Sequence, residues 1–188
     1  MARPPRFQAR VYAWRQAGDE DPLTPSNDII VSPPIFTVPV GMAQTVRLLL
    51  RARTPGGGER SYRVLLDEVP RADASNNRIE FALRVSLPIL IRGPSTKAPV
   101  LHWGAARGPG GQIVLTASNS GDVYDRVTAL DLTLPSGAHP KIMSRGRNTY
   151  VLPGSQRDWD VQASTAETGP LHLTVTTATG KSEQMLSP

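Results

Sequence analysis

RIEFALRVSLPILI, Arg78 to Ile91, decides the fold. Every second residue is apolar: Ile79, Phe81, Leu83, Val85, Leu87, Ile89 and Ile91. Between them stand Arg78, Glu80, Ala82, Arg84, Ser86, Pro88 and Leu90. Successive side chains of a strand point to opposite faces, so this alternation specifies one greasy face and one mainly polar face. It persists for about fourteen residues, where an ordinary strand runs roughly five or six. The length predicts either an unusually long partner inside the same domain or apolar side chains left over for another molecule.

The rest of the chain is punctuated like an all-β protein. Eighteen prolines and sixteen glycines in 188 residues separate short apolar runs, as turns separate strands. Strands are expected at Phe7–Trp14, Ile29–Val31, Ile35–Val38, Gln44–Arg51 and Ser61–Glu68 before the long one. They are expected at Val100–Trp103, Gln112–Ser118, Arg126–Leu134, Tyr150–Leu152, Asp158–Ala163 and Leu171–Thr177 after it. The polar stretch AGDEDPLTPSN after Trp14 reads as a loop. The Pro33–Pro34 pair suits an edge or a strand switch, since proline cannot donate to a ladder. Strands at this spacing, with no helical period, argue for β-sandwiches. Two fit: residues 1–93 and residues 100–188, joined by a linker at 94–99 in GPSTKAP.

Composition narrows the function classes. There is no cysteine, hence no disulfide, thiolate metal site or cysteine nucleophile. The net charge is +5, but the arginines are scattered singly and only Lys97, Lys141 and Lys181 are lysines. That pattern reads as a solvated surface, without the basic runs of a nucleic-acid binder. No apolar run is long enough to span a bilayer as a helix. His102, His139 and His172 lack metal-ligand spacing. The glycine clusters at 56–58 and 108–111 precede no helix and read as hairpin turns. Asp67 and Glu68 are neighbours on a strand and therefore face opposite ways. No catalytic residue, metal site or cofactor is expected. The start, MARPPRFQARVYAW, has no apolar core of a secretory signal.

Three blocks in order resemble the PapD-like pilus chaperones of the chaperone–usher pathway. They are VSPPIFTVPVGMAQTVRL (Val31–Leu48), ERSYRVLLDEVP (Glu59–Pro70) and RIEFALRVSLPILIRG (Arg78–Gly93). LTASNSGDVYDRVTALDL and YVLPGSQRDWDV echo the second domain of that family. The resemblance implies two immunoglobulin-like sandwiches in an L-shaped arrangement, a periplasmic location, and pilin subunits and an outer-membrane usher as partners. It implies no enzyme activity, no cofactor, no nucleic acid and no membrane insertion.

The resemblance also gives the long strand a role. Such a strand is lent to a pilin whose own sandwich lacks one, by β-augmentation. Ile79, Phe81, Leu83 and Val85 match the donor positions. Burying each is worth roughly 1.5–3 kcal/mol, and each ladder hydrogen bond about 0.5–1.5 kcal/mol net. Glu59, Arg92 and Glu167 match positions forming ion pairs between the domains. The family anchors the pilin carboxylate with two basic residues. One belongs to a first strand absent here, since the match begins near the third strand and the first domain is expected to be incomplete. The other is a lysine where this chain has Pro88, as in the branch serving thin, archaic-type pili, which leaves Arg84 and Lys97 as candidates. The rival expectation is a structural or adhesive immunoglobulin-like surface module, which would bury the odd face of Arg78–Ile91 within its own domain.

Overall fold

A computed structural model describes residues 4–51, 57–70, 81–94, 96–108, 110–164 and 169–188. The fold is all-β and resolves into two compact units. One holds the described residues of Met1–Trp14, Leu23–Pro55 and Arg60–Ile91; the other those of Arg15–Pro22, Gly56–Glu59 and Arg92–Pro188.

The first unit is built around β1 (Arg6–Trp14), where alternation places Ala9 and Val11 in the interior. One edge of β1 pairs with β6 (Arg60–Glu68), and β6 pairs in turn with β7 (Arg84–Ile91). The other edge of β1 is shared by β2 (Leu23–Pro25) and β4 (Ile35–Thr37). A second sheet consists of β3 (Ile29–Ser32) and β5 (Arg47–Leu50). The chain leaves the second sheet after β3 and enters the first as β4, turning at Pro33–Pro34, so the proline pair marks a strand switch. Proline supplies no ladder donor, and Pro34 contributes only its carbonyl, which accepts from the Ala9 amide at 2.8 Å.

Ile29, Val31 and Leu50 of the small sheet pack on Val11, Tyr62, Val64, Ile89 and Ile91 of the large one. A two-stranded sheet covers only part of a five-stranded one. Among the described residues, eleven large apolar side chains of this unit stay exposed, against three in the other unit (Val100, Met143 and Met185), so the exposed apolar surface is concentrated here.

The second unit is a filled sandwich. Its sheets run β12 (Tyr150–Val151), β10 (Asp125–Thr133), β14 (Leu171–Thr177), β15 (Lys181–Leu186) and β11 (Ile142–Ser144), β13 (Gln156–Ser164), β9 (Gln112–Asn119), β8 (Leu101–Arg107). Ile113, Leu115 and Trp159 from one sheet meet Leu132, Leu173 and Val175 from the other, all nearly inaccessible. Trp103 and Trp159 lie 5.3 Å apart between ring centres. A bulge between Val127 and Ala129 resets the alternation of β10. Val127 points inward before it and Leu132 after it, while Ala129 is exposed. An extra residue on one strand has this effect on facing.

Arg157 is fully buried in the second unit. Its guanidinium donates to the Asp21 carboxylate, to the Gly18 carbonyl at 3.1 Å and more weakly to the Tyr150 carbonyl at 3.4 Å. The Gln16 amide accepts from the Leu152 N–H and donates to the Tyr150 carbonyl, each at 2.9 Å. Arg15–Pro22 is thus held by polar contacts within this unit, whereas Leu23–Pro25, read as part of a loop, pairs with β1 as β2 in the first unit. Asn119 is another buried polar node: its side chain donates to the Val123 and Val151 carbonyls and accepts from the Val100 and Gly121 amides.

Two further expectations differ from the structure. Of the glycine clusters, Gly108, Gly110 and Gly111, with Pro109 outside the described residues, do lie in a hairpin connection between β8 and β9. The cluster at 56–58 does not, because β5 and β6 belong to different sheets; Gly56 itself lies outside the described residues. The long strand is also shorter than its pattern. β7 begins at Arg84, Phe81–Leu83 precede it outside the strand, and residues 71–80 lie outside the described residues.

Candidate functional site

The candidate site is β7 together with the residues leading into it. Register with β6 runs from Asp67↔Arg84 to Arg60↔Ile91 without a break. The Glu68 amide donates to the Leu83 carbonyl at 2.8 Å, and the Leu83 amide donates to the Glu68 carboxylate at 3.1 Å. This extends the pairing by one rung beyond β7. Among the described residues, β6 is the sole sheet partner of β7, so its second edge is open.

The odd face of this ribbon changes character along its length. Ile89 and Ile91 pack against the core of the unit. Val85 is half-buried. Leu87 and Leu83 are 45% and 54% exposed, and Phe81 is 92% exposed. Apolar side chains at alternate positions are therefore covered at the carboxyl end and uncovered toward the amino end. Of the four residues matched to donor positions, Leu83 and Val85 lie in the paired register, and the exposed Phe81 precedes them at the same parity; Ile79 lies outside the described residues. Leu87 extends the row. Its place in the period-two pattern was the signal for it.

On the opposite face, Asp67 accepts from Arg10 of β1 at 2.6 Å and also pairs with Arg84 of β7. The Arg10 hydrogen bond, reinforced by that of Arg84, holds the Asp67 carboxyl below the usual carboxylate range against a smaller opposing effect of burial. Arg84, a candidate carboxylate anchor, thus belongs to a three-strand charge cluster on the outer face. Lys97, the other candidate, lies in the second unit with its residue exposed, and its amide donates to Asp122 at 3.0 Å.

Glu59 and Arg92 directly precede β6 and follow β7, and they are paired. The Arg92 Nε donates to Glu59 at 3.1 Å, the Tyr124 amide donates to the other carboxylate oxygen at 3.1 Å, and the Glu59 side chain is wholly inaccessible. All three belong to the second unit. A buried carboxylate satisfied on both oxygens is stable where an unpaired one would not be. Glu167 lies outside the described residues.

Residues 2–97 match the family model of the pili and flagellar-assembly chaperones, PapD N-terminal domain. The chain belongs to this family. A relative in Escherichia coli (strain K12), the uncharacterized fimbrial chaperone YhcA, is 33% identical over 130 residues, which is 66% of this chain. The aligned region spans 54% of that relative's length. Among solved structures, a chain of the CsuC–CsuE chaperone–tip adhesion subunit pre-assembly complex from the archaic chaperone–usher Csu pili of Acinetobacter baumannii is similar. It has a TM-score of 0.67 at 26% identity, covering 97% of this chain and 84% of that one. The Pseudomonas aeruginosa CupB2 chaperone shares the fold, with a TM-score of 0.62 at 18% identity over 98% of this chain and 86% of its own. The two sandwiches are therefore those of PapD-like chaperones.

Proposed function

We propose that this chain is a periplasmic assembly chaperone that binds pilin subunits along β7 and passes them to an outer-membrane usher. One observation carries the reading. Phe81, Leu83 and Leu87 are exposed at alternate positions beside a strand edge that has no second sheet partner among the described residues. An exposed apolar edge is a hazard that proteins ordinarily suppress. Its retention makes sense where an incomplete sandwich borrows it, with the backbone supplying hydrogen bonds and the odd side chains filling the gap.

Membership of the family, and similarity to a chain of the Csu chaperone–subunit complex, support the same reading. In the rival reading, a surface module, the odd face would be covered by its own domain; the exposure of Phe81 and Leu83 speaks against it. No nucleotide is needed: exchange with the donor strand of a following subunit releases the pilin. Either Arg84 or Lys97 is the proposed anchor for the subunit's carboxylate. Glu59, Arg92 and Glu167 are proposed to form one ion-pair network.

Co-expression of the tagged chain with the pilin subunits of its own host tests the proposal. The wild-type chain is expected to co-purify with a subunit, and Phe81→Asp is expected to lose it while staying soluble. Equal recovery of the complex by the variant would refute the donor role.

A further inference from the structure

We infer that Pro88 is the register stop of the donor edge: a partner strand pairs along Ala82, Arg84 and Ser86 and ends its ladder there. The inference rests on the proposed donor role of β7 and adds where the borrowed strand must stop.

In an antiparallel pair, opposite residues alternate between those that exchange both backbone hydrogen bonds and those that exchange none. Glu68 and Leu83 are opposite, and the Glu68 amide donates to the Leu83 carbonyl. Counting along the unbroken register, Val85, Leu87, Ile89 and Ile91 direct their amides and carbonyls at β6. The even residues Arg84, Ser86, Pro88 and Leu90, with Ala82 before them, direct theirs at the open edge. Pro88 stands opposite Arg63, a rung where its missing N–H costs β6 nothing. The whole cost of the proline falls on the open side.

There the effect is local and sharp. A strand arriving on that edge finds an N–H and a carbonyl at Ala82, Arg84 and Ser86. At Pro88 it finds a carbonyl and a ring methylene where a donor should be, which removes a ladder bond and crowds the approaching carbonyl. The side chains agree with this division. Phe81, Leu83 and Leu87 upstream of Pro88 are exposed, while Ile89 and Ile91 downstream are packed on their own core. Backbone and side chains therefore both confine the partner to the amino-terminal half. A partner displaced by two residues toward Ile91 would keep its facing but would lose a hydrogen bond at Pro88, give up the exposed Phe81, and gain only the half-buried Ile89.

Hydrogen exchange on the purified complex of the chain with its co-expressed pilin subunit tests the stop. Relative to the chain without the subunit, the amides of Ala82, Arg84 and Ser86 are expected to gain protection and that of Leu90 to exchange unchanged. In Pro88→Ala, which restores the donor, protection is expected to extend to residues 88 and 90, and the complex to live about 2- to 10-fold longer, the worth of one hydrogen bond. Protection of Leu90 in the wild-type complex would overturn the stop while leaving the donor role intact. Absence of protection at Ala82, Arg84 and Ser86 would overturn both. A Pro88→Ala complex with unchanged protection and lifetime would overturn the stop as well.

Discussion

Phe81 and Ile89 occupy the same face of one ribbon, and truncating each should produce opposite effects. Phe81 is 92% exposed, so Phe81→Ala removes almost no contact from the folded chain. Its stability should change by less than about 0.5 kcal/mol, as at other surface positions. Nearly the entire side chain remains to be buried by a partner, worth about 1.5–3 kcal/mol, or roughly a 10- to 150-fold loss of affinity. Ile89 packs on the first core. Ile89→Ala should cost the chain about 1–3 kcal/mol, below the range for fully buried sites because Ile89 is only half-buried. Affinity under conditions where the variant is folded should change less than about twofold, since Ile89 offers a partner little uncovered surface. Leu83, 54% exposed, should lie between them on both axes. Urea midpoints with their slopes give stability, and titration of the isolated pilin subunit gives affinity. A Phe81→Ala variant that loses stability but binds normally would refute the reasoning, and so would an Ile89→Ala variant that loses binding first.

Three further outcomes follow from other parts of the molecule. Asp21→Ala should destabilise the chain by about 3–5 kcal/mol, because it leaves the buried Arg157 cation without its carboxylate. Arg157→Met should cost less, since the partly exposed Asp21 can be hydrated; the reverse order in denaturant melts would contradict this. The folded pKa of Asp67 is depressed, so its contribution is complete at neutral pH and decays as pH falls below the ordinary aspartate value of about 4. The stability advantage of the wild-type chain over Asp67→Asn should therefore shrink on acidification and with added salt; an advantage that grows toward low pH would show the sign to be wrong. Asn119→Ala should cost about 3–5 kcal/mol by leaving four backbone groups without their partner, and a change under about 1 kcal/mol would mean that water replaces the amide.

Much of the fold could be read from alternation and punctuation. Phe7–Trp14 and Ser61–Glu68 differ by only one residue from β1 and β6, because half-buried strands carry a strong period-two signal. β2, β11 and β15 escape that signal. LTP and IMS are too short to show a period, and KSEQML has just Met185 and Leu186 as apolar residues. The bulge in β10 is equally invisible, since an unpaired residue such as Thr128 has no distinctive chemistry.

The sequence by itself determined that this chain is all-β and that Arg78–Ile91 carries one apolar face, because side-chain facing in a strand depends only on parity. It could not determine which part of that face is covered. That depended on where the two-stranded sheet lies over the larger one, which leaves Phe81 exposed and Ile89 packed. Tertiary pairing also decided the meaning of Pro88. Only the register against β6 shows that its missing donor falls on the open edge, since a proline's cost depends on which neighbour its nitrogen would have faced.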